Sequence, residues 1–301
     1  MVYKVCVDVG NYTTVAKCGE NCSVIRTLLN NGKKRINRNA YMVKYKGEDY
    51  IVGDSNAVIV NEIKLNKMDE THLITLLTAV YHVVPDSADV ELFIGMPISS
   101  YYNDEYRQKY ELFMSAGDVE LIVDGVKKRF TITDVTALPE SIGYVYNNPS
   151  DRLIGVIDIG EFTVDGGVFK DGMPIKETIF TTLEGANKLK TEIRDTLNQT
   201  LIRNIQYYAI DEIIKDGLGG ADSDKAKEIV DNVLRDYMKS IISSMISHHW
   251  EYDTMPIVFT GGGSLILKDV IPMIENFKLS ENPTFDNVDG FEEMVVCCDV
   301  D

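Results

Sequence analysis

Near its start the chain carries Val7-Asp8-Val9-Gly10-Asn11-Tyr12-Thr13-Thr14, and it repeats the pattern as Ile157-Asp158-Ile159-Gly160-Glu161-Phe162-Thr163-Val164. Both runs have the order apolar, Asp, β-branched, Gly, any residue, aromatic, Thr. The two aspartates are separated by 158 − 8 = 150 residues. Six matched positions out of seven in one register exceed what chance supplies. We therefore interpret the pair as an internal duplication, with one copy at the start of each half.

Each copy has an Asp at the end of a strand, followed by a glycine-bearing turn and a hydroxyl side chain. The backbone N–H groups and hydroxyls of such a turn suit phosphate oxygens, whereas the carboxylate alone would repel them. A divalent cation removes the conflict, since Mg²⁺ is commonly held by one or two carboxylates, waters and substrate phosphates. One such run is equally typical of a plain β-hairpin. Two in matched register predict turns that clamp a triphosphate from both lobes.

The composition limits the classes of function. With 301 residues, 45% of them hydrophobic and 26% charged, the chain is expected to be a soluble globular protein of two domains. A net charge of −17 argues against direct binding of nucleic acid or of anionic membranes. We find no secretory signal and no apolar stretch long enough to span a bilayer. Five cysteines, an odd number, favour reduced thiols and a cytoplasmic location.

Other phosphate and metal sites are not indicated. The sequence has no GxxxxGK[ST] run and no HRD or DFG run, and the glycines at 217, 219 and 220 lack the GxGxxG spacing. Cys18, Cys22, Cys297 and Cys298 do not form CxxC pairs, and neighbouring cysteines on an extended segment point to opposite faces. His248 and His249 are adjacent, so on a helix they cannot face one ion.

The coarse pattern along the chain alternates strands and helices. It predicts antiparallel strands at 3–9, 23–28 and 40–45, a helix at 68–84, a strand at 90–94 and a helix near 104–115. Two strands follow within 120–135, then a helix that Pro139 opens, and a linker at 148–150. The second half predicts strands at 153–159, 163–169 and 174–180, a helical block to about residue 249, a strand at 255–260 and a helix at 265–276.

These residues resemble the actin, Hsp70 and sugar-kinase superfamily. Ala137-Leu-Pro-Glu140-Ser-Ile-Gly143 is similar to its first interlobe connecting helix, and Ile257-Val-Phe-Thr-Gly261-Gly-Gly-Ser264 to its adenosine-binding strand and turn. Within that superfamily, Leu92-Phe-Ile-Gly-Met-Pro97-Ile-Ser-Ser-Tyr-Tyr102 resembles the plasmid-segregating, actin-like ParM/StbA group. The resemblance implies an α/β, ribonuclease H-like duplicated, two-lobed actin-like fold with a nucleotide cleft between the lobes.

The resemblance also implies roles for individual residues. Asp8 and Asp158 would hold Mg²⁺, and Glu140 would orient or deprotonate the attacking water. A first-turn glutamate after Pro139 is also explained by the helix dipole alone. The nucleotide would be bound by Gly10, Asn11, Tyr12, Thr13, Gly160, Glu161, Thr163, Asp165, Gly185, Asn187, Gly261, Gly262 and Gly263. For Gly185 and Asn187, which would touch the ribose, a simple turn and helix cap is an equal alternative.

Two positions depart from the superfamily. Glu161 and Phe162 stand where many relatives place glycines, which adds negative charge and bulk beside the phosphates. Val15 stands where actins have a phosphate-contacting lysine, and Lys17 is two residues too late on the same strand face. Part of the positive charge must then come from the metal or from elsewhere in the chain.

The expected domains are a first lobe, 1–150, and a second lobe, 151–283. The first would have a core of 1–30 and 87–150 and a small subdomain of about 31–86, with residues 284–301 returning to it. The second would have a core of 151–180 and 250–283 and a helical subdomain of about 181–249.

The implied function is a filament-forming NTPase that uses ATP or GTP, destabilises its filament by hydrolysis, and segregates plasmid DNA through a ParR-type DNA-binding adaptor. Its partners would be further copies of itself and this adaptor, with no membrane. A small-molecule kinase of the same superfamily and a non-hydrolysing, nucleotide-gated binding module are the alternatives. Glu140 argues against the second of these.

Overall fold

The computed structural model describes residues 1–32, 38–53, 67–149 and 152–297. The chain divides into two compact units, Met1–Asn148 with Phe285–Asp301, and Pro149–Thr284. Parts of the expected small subdomain, Ser150 of the expected linker, and Cys298 lie outside the described residues.

The strands are β1 Val2–Val9, β2 Thr13–Cys18, β3 Asn21–Arg26, β4 Leu29–Asn31, β5 Tyr41–Tyr45, β6 Glu48–Val52, β7 Ala88–Met96, β8 Asp118–Val123, β9 Val126–Pro139, β10 Ile154–Ile159, β11 Val164–Lys170, β12 Met173–Pro174, β13 Phe180–Thr182, β14 Ile257–Thr260 and β15 Phe277–Leu279. The helices are α1 Glu70–Val83, α2 Ile98–Tyr101, α3 Asp104–Met114, α4 Ile142–Asn147, α5 Ala186–Leu201, α6 Ile210–Asp216, α7 Ser223–Ser247 and α8 Asp286–Cys297.

The first unit is built on one sheet with the strand order β3-β2-β1-β7-β9-β8-β5-β6-β4. Strands β1, β7 and β9 are parallel, while β1 and β2, and β2 and β3, are antiparallel. The predicted antiparallel start of the chain is therefore wrong for one side of β1, whose other neighbour is the distant, parallel β7. Helix α1 packs on β2 and β3. It begins after Asp69, whose carboxylate accepts a hydrogen bond from the His72 backbone N–H.

Helix α8 returns the end of the chain to the first unit, where it contacts α4, β1 and β2. Two glycines allow α4 and α8 to approach each other closely. A methyl group on Gly143 would lie 2.5 Å from Asn287 Cα, and one on Gly290 would overlap the carbonyl oxygen of Gly143. Backbone therefore packs on backbone at this crossing, without intervening side chains.

The second unit has a sheet of order β12-β11-β10-β14-β15, with β13 also paired to β11. Strand β10 is buried at all six positions, as expected for a central strand that is covered on both faces. Helix α5 packs on α7, and the apolar side of α7 faces the core. The indole N–H of Trp250 donates to the Thr178 carbonyl oxygen. None of the helices in the described ranges has the length and apolar character needed to cross a bilayer.

The two sheets share a topology. In each unit a strand that ends in Asp pairs antiparallel with the strand that follows it and parallel with a much later strand. The outer parallel neighbours, β9 and β15, also correspond in position. This repetition agrees with the internal duplication found in the sequence, and the predicted α/β, actin-like fold class is confirmed.

Three predicted elements are wrong in detail. Pro139 does not open a helix but ends β9, and α4 begins only at Ile142. The predicted strand at 174–180 is divided into β12, a 3₁₀ turn at Lys176–Thr178 and β13. The predicted helix at 265–276 is replaced by 3₁₀ turns at Gly262–Leu267 and Ile271–Met273.

Candidate functional site

The predicted site residues of the first unit lie at one edge of its sheet. Asp8 is near the carboxyl end of β1, and Glu140 directly follows the carboxyl end of β9. Because β1, β7 and β9 are parallel, these ends meet at the same edge of the sheet. The carboxyl edge of parallel strands is where open α/β sheets bind ligands.

The first duplicated motif forms a tight turn between β1 and β2. Gly10 N–H donates to the Thr13 carbonyl oxygen at 3.1 Å. Thr27 fixes the turn from β3's end, since its hydroxyl donates to the Gly10 carbonyl at 2.7 Å and its N–H donates to the Tyr12 carbonyl at 2.9 Å. The Asn11 amide oxygen lies 3.1 Å from His72 Nε2 in α1. The carbonyl groups of this turn therefore face the protein.

The second motif forms the same turn between β10 and β11. Gly160 N–H donates to the Thr163 carbonyl oxygen at 2.9 Å, and the strand register is also equal, with Asp158 opposite Asp165 as Asp8 is opposite Val15. This turn is anchored by the start of α5. The backbone N–H groups of Gly185, Ala186 and Asn187 donate to the carbonyl oxygens of Phe162, Gly160 and Glu161.

The direction of these carbonyls decides what the turns can bind. In a trans peptide the C=O and the N–H point in opposite directions. Since the carbonyls of Gly160, Glu161 and Phe162 point to α5, the N–H groups of the next residues, Glu161, Phe162 and Thr163, point away from it. Successive N–H groups on one side of a turn form a concave anion site. In the first turn the Gly10 and Tyr12 carbonyls are bonded to Thr27, so the N–H groups of Asn11 and Thr13 point away from Thr27 in the same way.

Glu140 is buried, with 8% of its surface exposed, and its carboxylate Oε1 lies 2.6 Å from the ammonium group of Lys67. Burial by itself lowers the pKa of Lys67, but the charge of Glu140, followed by smaller effects of Tyr110 and Asp8, raises it well above its usual value. Lys67 is therefore charged at neutral pH. The Glu140 side chain packs on Gly95 of β7, beside which Asp8 of β1 lies.

Ser141 holds an unusual backbone conformation next to Glu140. It is fully buried and left-handed, with φ 70° and ψ −26°, a strained region for a residue with a side chain. Its N–H donates to Asn287 Oδ1 at 3.0 Å, and Asn287 Nδ2 donates to Asp8 Oδ2 at 3.2 Å. Asn287 of α8 thus ties Asp8 to the segment that carries Glu140. Among the described residues, the Ser141 hydroxyl has no hydrogen-bond partner.

Asp158 and Asp165 form a buried carboxylate pair on neighbouring strands of the second unit. Thr181 of β13 donates to Asp165 Oδ1 at 2.6 Å. Gly261, with φ 79°, lies directly against Asp158: a methyl group there would overlap Asp158 Oδ1 and lie 2.6 Å from the Ile159 carbonyl oxygen. Only glycine fits this position. The structure therefore brings Gly261 to the predicted metal-binding carboxylate.

The remaining predicted residues have structural roles in the second unit. Gly185 and Asn187 anchor the second turn through α5, and Asn187 Oδ1 also accepts a hydrogen bond from the Tyr207 hydroxyl at 2.6 Å. Gly262 and Gly263 begin the 3₁₀ turn after β14, and Gly263 packs on Ile159. These contacts agree with the turn-and-cap alternative for Gly185 and Asn187.

Four contributing residues escape sequence reasoning: Lys67, His72, Asn287 and Thr27. Lys67 reaches Glu140 across 73 positions, and Asn287 reaches Asp8 across 279. No spacing rule connects residues so far apart.

The structure also shows the surroundings of Val15 and Lys17, where the sequence lacks the phosphate-contacting lysine of actins. Val15 is buried opposite Asp8, and Lys17 forms ion pairs with Asp289 and Glu292 of α8, at 2.5 and 2.9 Å.

The fit to a magnesium ion can be judged from the donors. Taken separately, each unit has hard oxygen donors of the kind Mg²⁺ prefers: Asp8 in the first, and Asp158 with Asp165 in the second. Within the described ranges no cluster of three or more His, Cys, Asp or Glu side chains could hold a metal by itself. The residues therefore suit an ion that keeps waters and phosphate oxygens as most of its ligands.

Residues 6–143 match the family described as actin like proteins N terminal domain. The chain was also compared with curated proteins, and none matches it. Among solved structures, it resembles a 15-stranded ParM filament from Clostridium botulinum, with 17% identity, a TM-score of 0.79 and coverage of 97% of this chain and 98% of that one. It also resembles Ta0583, an archaeal actin homolog in complex with ADP, with 16% identity, a TM-score of 0.78 and coverage of 99% and 100%.

A third structure, an Alp12 filament, matches with 20% identity, a TM-score of 0.73 and coverage of 99% of both chains. The likeness to these structures shows an actin-like fold, and residues 6–143 match the actin-like N-terminal domain family. These findings support the resemblance to the actin-like ParM/StbA group that was stated from the sequence.

Proposed function

We propose that this protein is a filament-forming NTPase that binds Mg-ATP or Mg-GTP through its two duplicated turns. One observation carries the proposal. Two turns of the same hydrogen-bonded geometry each follow a strand that ends in Asp, and each directs its carbonyl groups into the protein. Duplicated anion-binding turns with adjacent carboxylates suit a polyphosphate and its cation better than they suit two unrelated ligands.

In this proposal each group of residues has its own role. The N–H groups of the two turns, with the hydroxyls of Thr13 and Thr163, hold the phosphates. Asp8 and Asp158 hold Mg²⁺, which supplies charge neutralisation for the phosphates when it is bound. Glu140 orients the attacking water and accepts its proton, a role that requires a carboxylate kept ionised. Gly261, which packs directly on Asp158, presents its backbone to the nucleoside.

Self-association follows from the kind of relatives that share the fold, two of which are filament structures. In our proposal the triphosphate state favours contacts between copies and hydrolysis weakens them. The filament then moves plasmid DNA through a ParR-type adaptor. The net charge of −17 requires such an adaptor, because the chain itself repels DNA.

Light scattering and sedimentation with ATP, GTP and a non-hydrolysable analogue test this function. We expect scattering to rise with triphosphate above a critical protein concentration, to decay as phosphate is released, and to persist with the analogue. Turnover that requires a small-molecule acceptor, with no polymer at any concentration, would instead establish a kinase of the same superfamily.

Asp158→Asn tests the metal assignment. The amide has the size of the carboxylate, so the close contact with Gly261 is retained, but the charge that attracts Mg²⁺ is lost. We expect Mg-dependent nucleotide binding to weaken by at least about tenfold, which corresponds to about 1.4 kcal/mol. Fluorescent-nucleotide titrations with and without Mg²⁺ measure it, with the exposed Asp253→Asn as control. Unchanged Mg²⁺ dependence would remove Asp158 from the metal site.

A further inference from the structure

Lys67 is a charged side chain that the proposed chemistry has not yet used. It precedes α1 in the first unit, only 6% of its surface is exposed, and its Nζ lies 2.6 Å from Glu140 Oε1. A lysine is almost never buried so completely without a partner. Here the partner is the carboxylate that the proposed function makes responsible for hydrolysis.

A buried ion pair does not by itself indicate a functional role. Removing two charges from water costs several kcal/mol, and apolar side chains of similar volume often stabilise a protein as well or better. The position of this ion pair in the fold is the reason to consider a functional role. It lies at the carboxyl edge of β9, next to the strained Ser141 and the unpartnered Ser141 hydroxyl, and Asn287 connects that segment to Asp8.

Within the described ranges, three charged or titratable side chains form the electrostatic cluster that contains Glu140. Lys67 faces it from the start of α1, Tyr110 from α3, and Asp8 from β1. The Tyr110 hydroxyl donates to the Gly95 carbonyl oxygen at 3.2 Å, and burial raises its pKa, so it stays neutral. Of these groups, only Lys67 carries a positive charge. Lys17, the other cation considered from the sequence, is held by Asp289 and Glu292.

We propose that Lys67 is a positioning residue for hydrolysis, which keeps the Glu140 carboxylate ionised and fixes the direction in which its second oxygen points. The inference rests on the proposed NTPase function. In the step concerned, the water oxygen forms a bond to the γ-phosphorus as the bond from that phosphorus to the bridging oxygen breaks. The water proton passes to Glu140, and the nucleoside diphosphate leaves with the bridging oxygen.

The proposal predicts an effect on turnover rather than on affinity. In Lys67→Met the buried carboxylate loses the cation 2.6 Å from it, and its desolvation then favours the protonated form. A protonated Glu140 cannot accept the proton of water. We expect the acidic limb of the kcat profile to move to higher pH, far enough to lower kcat at pH 7 about tenfold, with KM changed less than about twofold. Raising the pH should restore much of the lost rate.

Two further variants separate positioning from a merely structural role. Lys67→Arg keeps the charge and should restore most of the rate and the wild-type pH profile. In a Glu140→Gln background the carboxylate is absent, so adding Lys67→Met should change the residual kcat less than about twofold. The double variant has neither charge of the ion pair, so it leaves no unpaired charge buried. It can therefore be compared with Glu140→Gln even if Lys67→Met alone does not fold.

The wild-type chain is assayed first, with ATP and GTP from pH 5.5 to 9. Absence of turnover there would refute the NTPase function itself. Given turnover, a raised KM with an unmoved pH profile would show that Lys67 binds phosphate directly, and the positioning proposal would be wrong. Equal losses of kcat from Lys67→Met in the wild-type and Glu140→Gln backgrounds would overturn it as well.

Discussion

Glu140→Gln is expected to lower phosphate release by about 100-fold or more, because it removes the group that orients and deprotonates the attacking water. Nucleotide affinity should stay near the wild-type value, since the phosphates are held by the two turns. Glutamine is preferred to alanine because its amide oxygen can still accept a hydrogen bond from Lys67, which alanine would leave buried and alone. Single-turnover phosphate release measures the rate, and nucleotide titration measures the affinity.

The same variant should change the lifetime of the polymer. If hydrolysis weakens contacts between copies, filaments of Glu140→Gln should form normally and then persist after the wild-type polymer has disassembled. Glu293→Gln on the exposed side of α8 is a matched control with the same loss of charge. Normal hydrolysis by Glu140→Gln would show that Glu140 is only part of a structural ion pair.

Gly290→Ala should lower the free energy of unfolding of the first unit by about 3 kcal/mol or more, at or above the upper end of typical overpacking effects. The added methyl group would overlap the Gly143 carbonyl oxygen, and backbone cannot move aside as a side chain can. Helix α8 would be pushed from α4 and from β1 and β2. Denaturant unfolding followed by far-UV circular dichroism measures the loss.

The position of the single tryptophan makes this measurement specific. Trp250 is buried in the second unit, so its fluorescence follows that unit. We expect the transition seen by circular dichroism to move to lower denaturant more than the tryptophan transition does. Gly219→Ala is the control, because nothing lies within 4 Å of a methyl group there. An unchanged circular dichroism midpoint for Gly290→Ala would contradict the close helix contact.

The sequence predicted the fold well where a pattern is local. Helix α1, and α7 within the predicted helical block, follow from the spacing of apolar residues. The prediction failed where the pairing of strands far apart in sequence determines the structure. Pro139 suits the first turn of a helix, but its partner Met96 on β7 extends β9 through it. The parallel partner of β1 could not be deduced from alternation alone, because alternation does not specify which strand is adjacent.

The same distinction applies to the site. The duplicated motif identified Asp8, Gly10, Asp158 and Gly160, since all the residues of each turn are adjacent in sequence. The predicted role of Glu140 remains a hypothesis, and its ion pair with Lys67 was not foreseen. The sequence around Lys67, with Asn66 before it and Asp69 two residues after it, has no pattern that indicates burial. Only the folded chain shows that it lies against a carboxylate 73 positions away.

The return of α8 to the first unit also sets an order of events during synthesis. Asn287, which holds the Asp8 carboxylate and the Ser141 backbone, is translated 279 positions after Asp8. The whole second unit, Pro149–Thr284, is made in between. The nascent first unit therefore lacks these two hydrogen bonds until α8 has been translated, and the surroundings of Asp8 and Ser141 are completed only then.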